Sequence, residues 1–196
     1  MITTAKITDA PISGSYTEKI YDAPISTENW TWIKFETNEY ETFYGQFKGA
    51  PLQIALSKHN PYFYVLTDSI LYEVSRENPS DYTAHDCYDF GGTITNLTLT
   101  PSGQLLLSHY YQLLQVNMPL CKIEEDLLDA LIEIKPPVLL DDIEFKDWHN
   151  DSLHIQANYI GTSDPVNLYF DTNTNKIYKK NVELLESKSL QFRRDR

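Results

Sequence analysis

The densest grouping of reactive side chains is His85-Asp86-Cys87. Residues i and i+2 of a strand share a face, so an imidazole at 85 could take the proton of a thiol at 87. Such a nucleophile also needs an oxyanion site and a third group to orient the base, and the sequence names neither. A packed core pair is the competing reading, and no enzymatic activity is expected. The remaining histidines are His59, His109, His149 and His154. A structural zinc site takes four converging ligands, usually in paired short spacings. No Cys-x-x-Cys occurs, and the two cysteines, Cys87 and Cys121, are far apart in the chain. On one strand, His149 and His154 would face opposite sides. Asp171-Thr172-Asn173-Thr174-Asn175 begins like a calcium loop, but Lys176 and Val182 stand where glycine and glutamate are required. A hairpin turn accounts for that stretch. Phosphate-binding glycine loops and the Gly-x-Ser-x-Gly elbow are missing. No metal and no cofactor is expected.

Charge is more informative. Sixteen Lys and Arg against 28 Asp and Glu leave a net −12 over 196 residues. That argues against nucleic acid or an anionic membrane as partner. No apolar run approaches the roughly 18 residues of a membrane span. Met1 is followed by Ile2-Thr3-Thr4-Ala5-Lys6, without the pattern of an export signal. A cytoplasmic chain with reduced thiols is therefore expected. The acids are concentrated: residues 124–151 hold ten of them against Lys135 and Lys146, a net −8. Residues 181–196 read as a basic tail. The acidic stretch is either a solvated face or an electrostatic dock for a basic protein. On the second reading Glu124, Glu125, Asp129, Glu133, Asp141 and Asp142 steer the partner, and Trp148 supplies an aromatic anchor.

The elements that would position these residues are mainly β. The chain has 14 Tyr, 8 Phe and 3 Trp but only 7 Gly, and aromatic residues suit a pleated, half-buried surface. Residues 1–28 read as an extended leader, in which Asp9-Ala10-Pro11-Ile12-Ser13 recurs as Asp22-Ala23-Pro24-Ile25-Ser26. Strand-like runs follow at 30–35, 40–47, 52–56, 62–66 and 70–74.

A unit then repeats at an interval of 43, and of 42 at its last pair. Phe47-Lys48-Gly49 matches Phe90-Gly91-Gly92, and Ile54-Ala55-Leu56 matches Leu97-Thr98-Leu99. The turn at Asn60-Pro61 answers Pro101-Ser102-Gly103, and Glu73-Val74 answers Gln115-Val116. A degenerate third unit runs over 141–180. These residues resemble propeller-type β-blade repeats of about four short strands. The resemblance implies two blade-like units over 45–117, in a partial propeller or a folded sheet. One amphipathic helix is predicted over 122–135, with Ile123, Leu127, Leu131 and Ile134 on its apolar stripe and Pro136-Pro137 ending it. A second, shorter helix is predicted over 182–189.

The reading is a single β-rich domain of antiparallel meanders that binds a basic protein, in the manner of a bacterial immunity protein neutralising a toxin. The alternatives are a small-molecule-binding or hydrolytic domain with a pocket near His85 and Cys87, and a structural subunit of a larger assembly. The sequence leaves the oligomeric state open.

Overall fold

A computed structural model describes residues 1–124 and 126–179. Over half of the described residues are strand, in four sheets of four strands each. Strands β1 (Ile2–Thr8), β2 (Thr17–Tyr21), β3 (Trp30–Thr37) and β4 (Thr42–Lys48) form the first sheet, in the order β1-β3-β4-β2. Its one parallel pair is β2 with β4. Strands β5 (Pro51–Leu56), β6 (Tyr62–Thr67), β7 (Ile70–Ser75) and β8 (Tyr82–Asp86) make the second as an antiparallel meander. The third is β9 (Asn96–Leu99), β10 (Leu105–Ser108), β11 (Leu113–Val116) and β12 (Leu131–Ile134), and the fourth is β13 (Leu140–His149), β14 (Ser152–Tyr159), β15 (Pro165–Asp171) and β16 (Lys176–Lys179). The opening strands β1, β5, β9 and β13 neighbour one another in that order. Among the described residues the sheets close neither a barrel nor a propeller.

The side-chain pattern explains the stacking. In β6, Phe63 and Val65 enter the core shared with the first sheet, while Tyr64 and Leu66 enter the core shared with the third. In β10, Leu105 and Leu107 face the second sheet and Leu106 faces the fourth. A strand apolar on both faces must be covered twice, so these middle sheets lie inside the stack. Strand β14 instead alternates: Leu153, Ile155 and Ala157 are buried, and His154, Gln156 and Asn158 point the other way. The fourth sheet therefore has one core face and one outward face.

Polar groups tie the layers together. Arg76, 5% exposed, donates to the carbonyls of Ile2, Ser57 and Asn60, joining β1 to the second sheet. The Gln53 side chain accepts from the Leu97 amide at 2.7 Å, and Asn96 Nδ2 donates to the Ile143 carbonyl at 2.7 Å.

Two expectations change. No α-helix forms among the described residues of 122–135. Its place is taken by 3₁₀ turns at Leu120–Lys122 and Leu127–Ala130, followed by β12. Asp126 accepts from the Leu128 amide, a local bond that competes with helix geometry. β12 pairs with β11 from Leu131↔Val116 to Ile134↔Leu113, so an open sheet edge outweighed local helical periodicity. The segment read as an extended leader supplies β1 and β2, the two edge strands of the first sheet. The third sheet runs on to Ile134, because its fourth strand lies inside the stretch read as helix. The helix expected over 182–189 and the basic tail over 181–196 lie outside the described residues. No described helix is long and apolar enough to cross a membrane.

Candidate functional site

The acidic stretch runs from the connection between β11 and β12, along β12, and into β13 of the fourth sheet. Glu124 is exposed, and Asp129 is exposed in the 3₁₀ turn at Leu127–Ala130. Glu133 lies on β12 with its side chain outward, because its neighbour Ile134 takes the buried position. It accepts from Gln112 Nε2 at 3.4 Å. Asp141 and Asp142 open β13 at a register shift. Asp142 has a φ of 54°, which aspartate tolerates better than most residues. The Asp142 amide donates to Asp141 Oδ1 at 2.8 Å, and Asn158 Nδ2 approaches Asp142 Oδ2 at 3.5 Å. Glu125 lies outside the described residues.

Among the described residues, ion pairs join Lys34 to Glu36, Lys48 to Asp22 and Lys146 to Glu144, and the Asp147 carboxylate meets the His149 and His154 rings. None engages Glu124, Asp129, Glu133, Asp141 or Asp142. Their charge is not neutralised by an ion pair among the described residues.

Trp148 has a different position from these acids. It follows a second register shift of β13, is half-buried, and packs on the core between the third and fourth sheets. Its Nε1–H donates to Thr98 Oγ1 at 2.9 Å. With Ile54, Leu56, Leu97 and Leu99 it lines a groove of about 430 Å³ along β5 and β9. One edge of the indole is thus fixed internally while the rest borders this open groove.

The His85 and Cys87 pair is arranged for packing. Cys87 is fully buried, its thiol points to the Thr67 carbonyl at 3.9 Å, and burial pushes its pKa up to about 12. A thiol so reluctant to ionise is a poor nucleophile. His85 is half-buried and lies edge-on to Phe90 at 6.2 Å. Its Nε2 is buried without a hydrogen-bond partner, and desolvation holds its pKa below the ordinary 6.5. His109 is also internal: Nε2 meets Gln112 Oε1 at 2.8 Å, and Nδ1 accepts from the Tyr111 amide. Among the described residues, no three His, Cys, Asp or Glu side chains are grouped to hold a metal ion.

A polar cluster missed by the sequence reading surrounds Glu73. This glutamate is 1% exposed in the middle of β7. It accepts from Tyr64 Oη at 2.8 Å, from the Leu120 amide at 3.0 Å and from the Cys121 amide at 2.9 Å. Three donors are what a buried carboxylate needs. The exposed Cys121 thiol sits 3.2 Å from Tyr62 Oη at the edge of the same cluster. The available signal was a single acid within the apolar run Ile70-Leu71-Tyr72-Glu73-Val74. The cluster ties the second sheet to the turn that follows β11, and all three donors to the carboxylate are internal.

No protein-family model matches this chain, and no curated protein matches it.

Proposed function

We propose that this chain is a non-enzymatic binding protein that takes a basic protein partner, in the manner of an immunity protein capping a toxin. One observation carries the reading. The acids Glu124, Asp129, Glu133, Asp141 and Asp142 all avoid the internal ion pairs of the described fold. Fixed charges of one sign, left unneutralised, steer an oppositely charged partner and speed its encounter. Trp148 borders a groove of mixed polar and apolar lining and offers an aromatic contact that charge alone does not provide. The four stacked sheets, with β1, β5, β9 and β13 as successive neighbours, form on this reading an open propeller-like arc. Such an arc is a rigid frame for binding residues carried on its strands and connections.

The test is co-purification with the protein encoded by the adjacent reading frame. The expected result is a stoichiometric complex that weakens as salt is raised and when Asp129, Glu133 and Asp141 are changed together to lysine. Absence of a complex, or one indifferent to both changes, overturns the reading.

A further inference from the structure

Among the described residues, six of the strands that end the four sheets carry a charged side chain: Lys6 on β1, Glu18 on β2, Asp86 on β8, Glu133 on β12, Asp141 on β13 and Lys176 on β16. Charge on an edge strand deters another chain from pairing with it. The two edge strands without Asp, Glu, Lys, Arg or His are β5 and β9, and these two are neighbours. Pro51 guards only the first residue of β5. The groove of about 430 Å³ beside Trp148 runs along both strands, and no residue lining it is ionisable.

Backbone hydrogen bonds alternate along a strand between its two neighbours. The Arg76 amide donates to the Pro61 carbonyl, so the odd-numbered residues of β6 bond to β7. Tyr64 and Leu66 therefore bond back to Ala55 and Gln53, which leaves the N–H and C=O of Ile54 and Leu56 pointing to the open side of β5. On β9, the Thr100 amide donates to the Gln104 carbonyl, so Thr98 bonds to β10 while the backbone of Leu97 and Leu99 points away. The Leu97 amide is taken by the Gln53 side chain, but among the described residues no ladder joins β5 to β9. Every residue of β5 is at least partly exposed, whereas β6 is buried beyond Tyr62. Ile54 and Leu56 are thus free rungs at the spacing that an extended chain presents.

We propose that β5 receives an extended, uncharged segment of a partner protein as an added strand, seated in the groove that Leu97, Leu99 and Trp148 also line. Main-chain bonds at Ile54 and Leu56 hold the segment. The lining selects neutral side chains, because an unpaired charge buried there is costly. The bond from Trp148 to Thr98 fixes the indole before the segment arrives, which lowers the ordering cost of binding. This inference rests on the reading of the chain as a protein-binding module, and it names a contact separate from the acids.

The test selects phage-displayed random heptapeptides on the full chain and measures the affinity of a selected, synthesised peptide by fluorescence anisotropy. The expected peptides lack charged residues, and their affinity is the same at low and high salt. Ile54→Pro removes an outward N–H and leaves the ladder to β6 its donors, so it should weaken binding about tenfold or more. Pro101 is exposed at the rim of the groove. Pro101→Lys and Pro101→Glu should each weaken binding severalfold, since a charge of either sign is excluded. N-methylation of alternate peptide amides should abolish binding in one phase of the alternation and spare it in the other, a result that needs no variant of the chain. Circular dichroism of each variant confirms that the fold is intact. Charged peptides or none, binding unmoved by Ile54→Pro, opposite responses to lysine and glutamate at 101, methylation tolerated in both phases, or self-association through β5 that Ile54→Pro abolishes overturns the proposal. The salt-sensitive complex with the adjacent-frame product is measured separately, so either reading can fail while the other stands.

Discussion

The side-chain amide of Asn60 donates to the backbone carbonyl of Gly103 at 2.7 Å, and the two residues stand 43 positions apart. The same interval relates Gly49 to Gly92 and Ile54 to Leu97. Corresponding turns of the second and third sheets are therefore in direct contact, because the repeat period is also the step from one layer to the next. The same asparagine accepts from the Tyr62 amide at 2.8 Å, so its own turn is held while it reaches the neighbour.

Gly103 is the most sensitive point of this contact. Its φ is +92°, and a Cβ there would lie 2.7 Å from the backbone carbon and oxygen of His59. Gly103→Ala should cost about 2 kcal/mol or more, from the left-handed backbone and the clash together. Gly161 also has a positive φ but open space around it, so Gly161→Ala should cost only about 1 kcal/mol. Urea denaturation midpoints of the two variants check the difference.

Glu73→Leu should destabilise the chain by about 3 kcal/mol. It strands the Tyr64 hydroxyl and the Leu120 and Cys121 amides without an acceptor. Amide exchange at Leu120 and Cys121 should accelerate ahead of exchange in β14. Uniform protection in the variant would contradict the role given to this carboxylate.

His85 makes stability depend on pH. Its folded pKa is depressed below 6.5 by burial, so the unfolded chain binds the proton more tightly. This contribution is intact above about pH 6.5 and is lost as the pH falls toward the folded value. Denaturation midpoints measured from pH 7 to pH 5 should fall more steeply for the parent than for His85→Leu. Parallel curves would show that His85 is not the source.

The two thiols should separate by accessibility. A thiol-reactive reagent at pH 8 should modify Cys121 in the native chain, slowly because burial and the nearby Glu73 raise its pKa. Cys87 should react only after unfolding. Labelling of both at similar rates in the native state would refute the packing described for Cys87.

Trp148→Phe should cost about 1 kcal/mol, the usual net value of one hydrogen bond, here to Thr98 Oγ1. Thr98→Val should cost a similar amount, and the double variant little more than either single one. Additive losses would show that the bond contributes nothing to stability.

The strand content was legible from the residues themselves, since alternating and continuous apolar runs report local burial directly. Tyr62-Phe63-Tyr64-Val65-Leu66 announces a strand covered on both faces, and Leu153-His154-Ile155-Gln156-Ala157 one covered on a single face. The 43-residue interval likewise marked two successive units before any contact between them was visible. The acids of residues 124–151 were evident as a charge surplus, but their sequence could not show which of them stay out of internal ion pairs. What the tertiary structure alone decided depends on partners distant in the chain. Leu131-Ile132-Glu133-Ile134 suits a helix by spacing and became a strand because β11 offered an unpaired edge. Glu73 is tolerated inside the core because the backbone amides of Leu120 and Cys121, 47 and 48 positions away, turn toward it. Periodicity records which face a residue turns to a core; it carries no record of the hydrogen-bond partner that waits on another sheet.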